Sequence, residues 1–494
     1  MRWLMNNSSS EVDLRVLAEQ IVRARGFDPQ FPPAVQQQIA QIEAHPPAVT
    51  ANGKARDLRS LLWSSIDNDD SRDLDQIEYA EDLGNGRTRL SVGIADVDIF
   101  AARNSSIDAH AARETTTVYT GVRVFPMLPE QLSTGLSSLL EGADKLAVVT
   151  EFFVNTEGNI ESYDIYRAVV RNKAQLTYSA VGKWLEGTGN GSSKVASSSE
   201  LQGQIRLQSE AAEKLKQQRH LRGALNIETI ELQPIMSGDQ IMSVADREKN
   251  RASELIEELM IAANESVARM FEAKKISSIR RIVKTPERWE RIVELAAQHG
   301  GHLPAQPDAK ALNDFLMKRK AEDPDRFADV SLAVVKLMGP GKYVLERPGE
   351  VGQGHFGLAV QDYTHSTAPN RRFADVVTQR IIKSILSGTP SPYSDDQLTS
   401  TAANCTERQD AARKAQRDMQ KRIAAVALKH SIGQTFDAIV TGANEHGTFV
   451  RIMKPHVEGM LVAGHEGADV GDKFRVKLVN TDVRRGYIDF VRQG

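Results

Sequence analysis

The chain has 494 residues, of which 40% are hydrophobic and 26% are charged, a balance that allows about two to four globular domains and excludes a disordered chain. The formal net charge of −3 neither favours nor excludes a nucleic-acid partner, because acidic catalytic groups can offset basic surfaces elsewhere. A single cysteine, Cys405, excludes an internal disulfide framework, and no run approaches the roughly 20 apolar residues of a membrane span, so we expect a soluble, cytoplasmic protein.

Two helices are predicted at the N-terminus. Apolar residues recur every three or four positions from Val12 to Ala24, and a proline pair opens a second periodic segment, Pro33–Ala44. The pair is compatible with a helix-turn-helix reader of nucleic acid, in which Arg23 and Arg25 would contact the duplex, and equally with a packing or docking module. We assign residues 1–57 to a small helical N-terminal domain that binds nucleic acid or protein.

A dense group of aspartates follows the first apolar run after this domain. Its members are Asp67, Asp69, Asp70, Asp73 and Asp75. Two strands are predicted next, Ile77–Glu81 and Arg89–Ile94, joined by a turn at residues 84–86. Carboxylates at strand ends are held rigidly, and Mg²⁺ prefers such oxygen ligands while keeping positions open for water and phosphate. The segment therefore predicts metal-assisted phosphoryl chemistry, with a solvated acidic loop as the alternative.

A calcium-binding EF-hand is another alternative for this segment. A loop that starts at Asp67 has Glu78 at its twelfth position, as that motif requires, but Arg72 stands where the sharp turn needs glycine. The predicted flanks are strands rather than helices. Calcium is therefore the weaker of the two metal predictions.

The remainder divides into one large region and one small region. Residues 58–432 mix strand and helix signals without a convincing linker, and the Gly- and Ser-rich stretch Gly187–Ser199 predicts a mobile surface loop. Helices are predicted at Leu201–Arg222, Val244–Ala273, Pro286–His299, Ala309–Lys318 and Asp375–Ser387. Residues 433–494 hold five short predicted strands with glycine-containing turns, which predict an OB-type barrel. These strands are Gln434–Val440, Gly447–Ile452, Glu458–Val462, Lys473–Val479 and Gly486–Val491.

The acidic segment SSIDNDDSRDLDQIEYAE resembles the metal-binding signature of the ribonuclease II family, whose catalytic domain is called the RNB domain. Further blocks resemble that family in the same order, namely Pro126–Leu139, Gln218–Leu232, Ala252–Ala268, His355–Val360 and Tyr363–Arg380. The C-terminal segments GQTFDAIVTGANEHGTFVRI and VEGMLV resemble the ribosomal-protein-type OB domain that follows it. The resemblance implies an α+β fold, with a large RNB-type catalytic domain, a C-terminal five-stranded OB β-barrel, and a helical N-terminal domain in place of cold-shock domains.

The same resemblance implies an activity. It is that of a Mg²⁺-dependent 3′-to-5′ exoribonuclease, a monomer that hydrolyses single-stranded RNA processively to nucleoside 5′-monophosphates and a short oligonucleotide. One or two Mg²⁺ ions would be bound by the acidic signature, and no membrane is involved.

The family signature has four carboxylates, and this chain departs from it at the fourth. The first three fall on Asp67, Asp73 and Asp75, of which Asp75 and Asp73 are also expected to be catalytic. The fourth is Gln76, whose neutral amide is a poorer Mg²⁺ ligand than a carboxylate. Either Gln76 binds through its oxygen, or a second ion is held weakly, or Asp69 or Asp70 compensates. The substitution also motivates the alternative of a catalytically weakened RNA-binding protein with the same fold.

Other roles are implied by the resemblance alone. Arg371 matches the catalytic arginine that neutralises charge at the active-site phosphate, although pairing with Asp375 is an alternative for this residue. Tyr119 matches the aromatic residue that stacks on the 3′-terminal base, with ordinary packing as the alternative. Arg372 is expected to contact a neighbouring phosphate or a carboxylate of the acidic cluster. The RNA-binding face of the barrel is expected to include His446, Phe449 and Lys477, with a position in the barrel core as an equal alternative for Phe449.

Overall fold

The computed structural model describes residues 12–51, 55–228, 231–237, 240–247, 249–350, 352–444 and 447–493. Helices and strands are mixed through most of this part of the chain, and a separate barrel closes it, which confirms the α+β prediction. Among these residues no helix has both the length and the apolar character needed to cross a membrane.

The two predicted N-terminal helices are present as α1 (Leu14–Ala24) and α2 (Pro33–Ala44). Asp13 caps α1 by accepting hydrogen bonds from the first turn of the helix, which satisfies backbone donors that have no partner within it. Ala18 and Val22 are buried on one face of α1, so this helix packs against the rest of the chain.

The central region is built on one sheet with several short strand pairs around it. Its strands are β1 (Arg56–Asp57), β2 (Trp63–Asp67), β3 (Gln76–Asp82), β4 (Thr88–Ala95), β5 (Val118–Tyr119), β6 (Val124–Phe125), β7 (Asp144–Val154), β8 (Ile160–Thr177), β9 (Glu231–Ser237), β10 (Gln240–Arg247), β11 (Ser278–Ile282) and β12 (Lys342–Glu346). The main sheet has the order β1-β8-β2-β3-β4-β7, and β7 also pairs with β8. The first part of the 18-residue strand β8 binds β7 and its last part binds β2, so this strand joins both ends of the sheet.

Helices surround this sheet; some cover its two faces, and the three between Trp289 and Met338 pack together in a separate cluster. They are α3 (Ser106–Glu114), α4 (Tyr178–Leu185), α5 (Ser193–Ser197), α6 (Ser199–Leu221), α7 (Arg251–Ala273), α8 (Trp289–Gln298), α9 (Ala309–Glu322), α10 (Pro324–Met338), α11 (Phe373–Ser387) and α12 (Asp395–Leu428). One core lies between the sheet and α6 and α7, where Ile66 and Leu90 pack with Leu255. A second core on the other face includes Trp63 and packs against α11. The sheet thus packs against a core on each of its faces.

Two sequence predictions in this region are wrong. Residues 240–247 form β10 paired with β9, so the helix predicted from Val244 begins at Arg251, where Asn250 forms a capping box with Ser253. The predicted loop Gly187–Ser199 contains α5, because Ser192 caps a short helix whose Val195 is fully buried.

The predicted five-stranded barrel is confirmed. Its strands are β13 (Thr435–Asn444), β14 (Gly447–Ile452), β15 (Glu458–Ala463), β16 (Lys473–Asp482) and β17 (Tyr487–Arg492), closed in the order β13-β14-β15-β17-β16. Alternate residues such as Val450 and Leu478 fill its core, and Leu428 at the end of α12 packs into the same cluster. Arg451 of β14 binds Asp329 of α10 at 2.5 Å, which links the barrel to the central region.

Candidate active site

Two neighbouring strands bring the acidic signature together. Asp67 is the last residue of β2 and Asp75 directly precedes β3, and the two strands pair through Ser64 and Glu78. The backbone carbonyl of Asp75 accepts a hydrogen bond from the amide of Ala95 at 3.0 Å, which extends the pairing with β4. Asp67 and Asp75 are therefore fixed at strand ends, as the sequence predicts, and the flanks are strands rather than the helices of an EF-hand.

Asp75 is the most deeply placed of these carboxylates. Its side chain is 2% exposed, and its Oδ1 accepts a hydrogen bond from the Asn370 backbone amide at 2.9 Å. Its Oδ2 has no hydrogen bond, and the Nε of Arg371 lies 3.4 Å away. Burial raises the pKa of Asp75 to about 7, although the charge of Arg371 opposes this rise. A buried carboxylate with one free oxygen is costly to keep unless it binds a cation.

Asp73 connects the cluster to Tyr119. The Tyr119 hydroxyl lies 3.4 Å from Asp73 Oδ2 and donates to it, while Tyr119 as a whole remains 39% exposed. Burial raises the pKa of both Asp73 and Asp67, and the charge of Arg371 opposes the rise at each. The three aspartates and Arg371 thus form one electrostatic unit, with an aromatic residue at its exposed edge.

The two adjacent arginines have different partners. The Arg371 side chain is 45% exposed beside Asp75, and its carbonyl accepts a hydrogen bond from the amide of Thr117 at 3.1 Å. Arg372 instead donates to both carboxylate oxygens of Asp375, at 2.9 and 2.7 Å. The pairing with Asp375 that was an alternative for Arg371 is therefore made by Arg372. Contact between Arg372 and RNA stays a prediction.

Gln76 lies at the start of β3, where it is 7% exposed and pairs with Ile94 in the ladder. Asp69 is exposed and accepts a hydrogen bond from the Ser179 hydroxyl at 2.6 Å, and Asp70 is exposed as well. Both aspartates are in the loop between β2 and β3, whereas Gln76 is inside the sheet. The three alternatives for the missing carboxylate, which are binding through Gln76, a weakly held second ion, and compensation by Asp69 or Asp70, stay predictions.

Glu78 is a residue of this region for which sequence reasoning predicted no role in the RNB-type site. It is fully buried on β3, two residues after Gln76, and neither of its carboxylate oxygens has a hydrogen-bond partner. Burial, together with the charge of Asp67, raises the pKa of Glu78 well above its usual range. The available signal was a carboxylate that stands between Ile77 and Tyr79 near the start of a predicted strand.

The expected RNA-binding residues of the barrel do not form one compact group. Phe449 is half-buried on β14 opposite Gly442, and Lys477 is exposed on β16 opposite Thr435. Their partners are seven residues apart on β13, which corresponds to about 23 Å. His446 lies outside the described residues.

The donor chemistry of the site fits Mg²⁺, since the acidic signature offers hard carboxylate oxygens and the buried Asp75 Oδ2 lacks a hydrogen bond. The carboxylates of the acidic signature are not yet close enough together to form one coordination sphere. In the described part of the chain, no three or more His, Cys, Asp or Glu side chains are grouped closely enough to hold an ion. The guanidinium of Arg371 balances part of the charge instead. The residues that would hold the ion are Asp67, Asp73, Asp75 and Gln76.

A catalytic-type α+β domain with carboxylates at its strand ends, followed by a five-stranded barrel, is the architecture of RNB-type proteins. Family models agree with this class. The RNB domain model matches residues 55–388, and the model of the RNase II-type exonuclease C-terminal S1 domain matches residues 434–493. Because the first match covers most of the chain, the chain belongs to the ribonuclease II family.

Known relatives carry related names. Ribonuclease R of Thermotoga maritima is 31% identical over 88% of this chain and 64% of its own length. The chain spans about 60% of the length of the curated relatives that it matches first. The apo structure of Mycoplasma genitalium RNase R has a TM-score of 0.85 at 22% identity, over 97% of this chain and 78% of that one. Yeast Ssd1, described as a pseudonuclease, has a TM-score of 0.72 at 17% identity, over 94% of this chain and 58% of that one, so the fold alone does not decide catalysis.

Proposed function

We propose that the chain is a Mg²⁺-dependent 3′-to-5′ exoribonuclease. It hydrolyses single-stranded RNA processively and releases nucleoside 5′-monophosphates and a short oligonucleotide. The observation that carries the proposal is the exposed guanidinium of Arg371 beside the buried carboxylate of Asp75, whose Oδ2 has no hydrogen bond. Structural ion pairs inside proteins are normally satisfied on both sides, whereas this pair leaves donors and an acceptor free for a phosphate and a cation.

The 3′ end of the RNA is held by Tyr119. Its ring is partly exposed and its hydroxyl is fixed on Asp73, so a terminal base can stack on a face that is already oriented. Stacking contributes about 1–3 kcal/mol per base and tolerates any base, because every base has a π-face. The last phosphodiester then lies beside the acidic cluster rather than in the barrel.

Arg371 binds the scissile phosphate. A planar guanidinium contacts two phosphate oxygens and neutralises the charge that develops there in the transition state. The Arg372–Asp375 pair holds this arginine in place, because Asp375 Oδ1 also accepts a hydrogen bond from the amide of Ala368 at 2.8 Å. Arg372 is therefore a positioning residue for the loop that carries Arg371.

The carboxylates of Asp67, Asp73 and Asp75, with the amide oxygen of Gln76, would hold Mg²⁺. When bound, Mg²⁺ lowers the pKa of a water molecule and stabilises the attacking and leaving oxygens. The Asn370 amide keeps Asp75 oriented by its hydrogen bond to Oδ1, which leaves Oδ2 directed toward the cation site. No covalent intermediate with the protein is required.

RNA is the substrate class that the relatives favour. Mycoplasma genitalium RNase R is described in complex with ribose methylated single-stranded RNA. On this chain, exposed Lys477 and half-buried Phe449 offer a cation and an aromatic face on the barrel.

The proposed location is the cytoplasm. The buried, unpaired thiol of Cys405 fits such a reducing compartment.

The test is gel analysis of a 5′-labelled single-stranded RNA incubated with the protein and Mg²⁺, with EDTA and Asp75→Asn as controls. The proposal expects a metal-dependent collapse to a very short labelled product, which is lost in Asp75→Asn. A ladder of internal cuts, or activity that persists in EDTA, would contradict it.

Gln76 favours a second candidate, an RNA-binding protein with weakened catalysis. Under that hypothesis the RNA stays intact in the cleavage assay but is shifted on a native gel. Gln76→Asp restores the fourth carboxylate and separates the candidates. If the Gln76 amide has weakened catalysis, the variant should gain nuclease activity that the unaltered chain lacks.

A further inference from the structure

We infer that the N-terminal helix α1 is a positioning element for Tyr119, acting by supporting the β5–β6 hairpin that carries it. This inference rests on the proposed role of Tyr119 at the 3′ end of the RNA. It gives the N-terminal domain a task at the catalytic centre, which neither the family match nor the sequence pattern assigns.

The hairpin is too short to be stable by itself. It contains two residue pairs, Val118 with Phe125 and Tyr119 with Val124. Isolated two-stranded hairpins are at best marginally stable in water, so the orientation of Tyr119 requires support from outside the hairpin.

α1 provides an apolar surface for this hairpin. Val118 and Phe125 are 1% and 5% exposed, and they share one buried cluster with Ala18 and Val22, both fully buried. The contact orients the hairpin, because residues alternate across a strand. Val118 is turned into the cluster, and the adjacent Tyr119 is directed to the opposite side, where its hydroxyl reaches Asp73.

A polar contact accompanies the apolar one. The Nη1 of Arg123, in the turn between β5 and β6, lies 2.9 Å from Glu19 Oε2 on α1. The same turn is closed by the hydroxyl of Thr120, which lies 2.6 Å from the carbonyl oxygen of Arg123. α1 thus contacts both the strands and the turn of the hairpin.

α1 is itself fixed to the long helix α12. Ala415 and Met419 of α12 belong to the cluster that buries Ala18 and Val22. Arg25 binds Asp418 at 2.5 Å, and Arg408 donates to the carbonyl of Gly26 at 2.7 Å. The helix is therefore a rigid part of the molecule that can hold a hairpin in position.

A second connection runs through the residues just before β5. The amide of Asp28 donates to Glu114 Oε2 at 3.0 Å, and Glu114 is 4% exposed. Three residues later, the amide of Thr117 donates to the carbonyl of Arg371 at 3.1 Å. The segment that leads to Tyr119 is thus bound to the N-terminal domain on one side and to the catalytic arginine on the other.

Two cations at the C-terminal end of α1, Arg23 within it and Arg25 just after it, also favour docking over the binding of a nucleic acid. Arg23 lies 2.9 Å from Glu19, and Arg25 is paired with Asp418. The two arginines that a helix-turn-helix reader would use are therefore already engaged with carboxylates of the protein.

The test uses the whole 494-residue chain with Val22→Ala, which removes buried volume below the hairpin, and with Glu19→Arg, which places a third cation beside Arg23 and Arg123. Gln20→Ala on the exposed side of α1 is the matched control. Hydrogen exchange of the peptide covering residues 115–125 is measured without RNA. Steady-state kinetics are then measured on two RNAs that differ only in whether the 3′-terminal nucleotide carries a base.

We expect exchange in residues 115–125 to rise about tenfold in Val22→Ala, which corresponds to about 1.4 kcal/mol of local stability. KM for the normal RNA should rise about three- to tenfold with a smaller change in kcat, and the difference from the unaltered chain should vanish on the RNA that lacks the terminal base. Adding Arg123→Glu to Glu19→Arg should restore both readouts.

Unchanged exchange in both Val22→Ala and Glu19→Arg would overturn the inference. A rise in KM that is equally large on the RNA without the terminal base would also overturn it, because the effect would not pass through Tyr119. If the unaltered chain has no nuclease activity, the proposed function fails, and the exchange measurement still decides whether α1 supports the hairpin.

Discussion

Two groups of aspartates lie against helix α11, one at its start and one farther along it. They differ in how completely their charges are paired. At the start, Asp75 faces Arg371 with one carboxylate oxygen free of hydrogen bonds. Farther along, Arg380 lies 2.6 Å from Asp98, and Lys383 lies 2.8 Å from Asp96. Arg371, just before α11, therefore belongs to an incomplete set of charge partners, whereas Arg380 and Lys383 on the helix belong to a complete one.

The pKa shifts follow this difference. Burial alone would raise the pKa of Asp98, but Lys383 and Arg380 lower it below its usual value. At Asp75 burial prevails over Arg371, and the pKa rises to about 7. Buried charges without sufficient partners destabilise a fold, so an incomplete set that persists indicates a site for a ligand, whereas a complete set indicates a structural connection.

Asp75→Asn should produce the largest effect on activity. It keeps the shape of the side chain but removes its charge, so we expect the hydrolysis rate to fall by at least about 10³-fold, or about 4 kcal/mol in the barrier. The free energy of unfolding should stay the same or rise, because a buried carboxylate is removed. Initial rates on single-stranded RNA and urea unfolding measure the two quantities. A stable variant that retains a tenth of the activity would remove Asp75 from the catalytic group.

Arg380→Met should instead have its main effect on the free energy of unfolding. Its side chain is 4% exposed, and its loss leaves Asp98 and Asp108 without this partner, so we expect about 3–5 kcal/mol of destabilisation. Arg56→Met is the matched control, because the Arg56–Asp164 pair is half exposed and should contribute less than about 1 kcal/mol. Equal urea midpoints for the two variants would show that the complete set does not hold α11 to the sheet.

Local patterns in the sequence predicted what local forces determine. The alternation and glycine turn around β3 and β4, the proline at the start of α2 and the five barrel strands all reflect interactions between residues near in sequence. The helix predicted from Val244 was wrong because apolar residues of β10 merge with the helical period of α7. Periodicity cannot separate two such segments when the cap between them is a single asparagine.

Candidate site residues could be read from the sequence only in part, for a similar reason. The spacing of Asp67, Asp73 and Asp75 is visible in the chain, whereas Arg371 could be assigned only by resemblance, since its contact with Asp75 joins residues 296 positions apart. The contact of Glu19 with Arg123 spans 104 positions and had no signal at all. Long-range pairs of this kind follow from the fold and are not encoded in any one segment.

Tyr119→Ala tests whether the 3′ end of the RNA binds beside Asp75 and Arg371. Loss of the ring should weaken binding of single-stranded RNA by about 1–3 kcal/mol, while Tyr119→Phe keeps the stacking face and loses only the contact with Asp73. Fluorescence anisotropy in EDTA measures affinity without cleavage. Equal affinities for all three proteins would place the terminal base elsewhere.

His365 gives the smallest expected effect and concerns the region behind the two arginines. Its Nδ1 lies 2.8 Å from the Tyr343 hydroxyl, and burial, with the charge of Arg372, lowers its pKa well below the usual value. Below about pH 6.5 the unfolded chain binds a proton at this histidine that the folded chain does not, so stability falls as pH falls, by about 1.4 kcal/mol per pH unit. Urea unfolding between about pH 7.5 and 5, a range around the pKa of histidine in the unfolded chain, should therefore show a shallower loss of stability in His365→Gln. An identical slope in the variant would mean that His365 is protonated in the fold, and that the cations at the start of α11 tolerate a third positive charge.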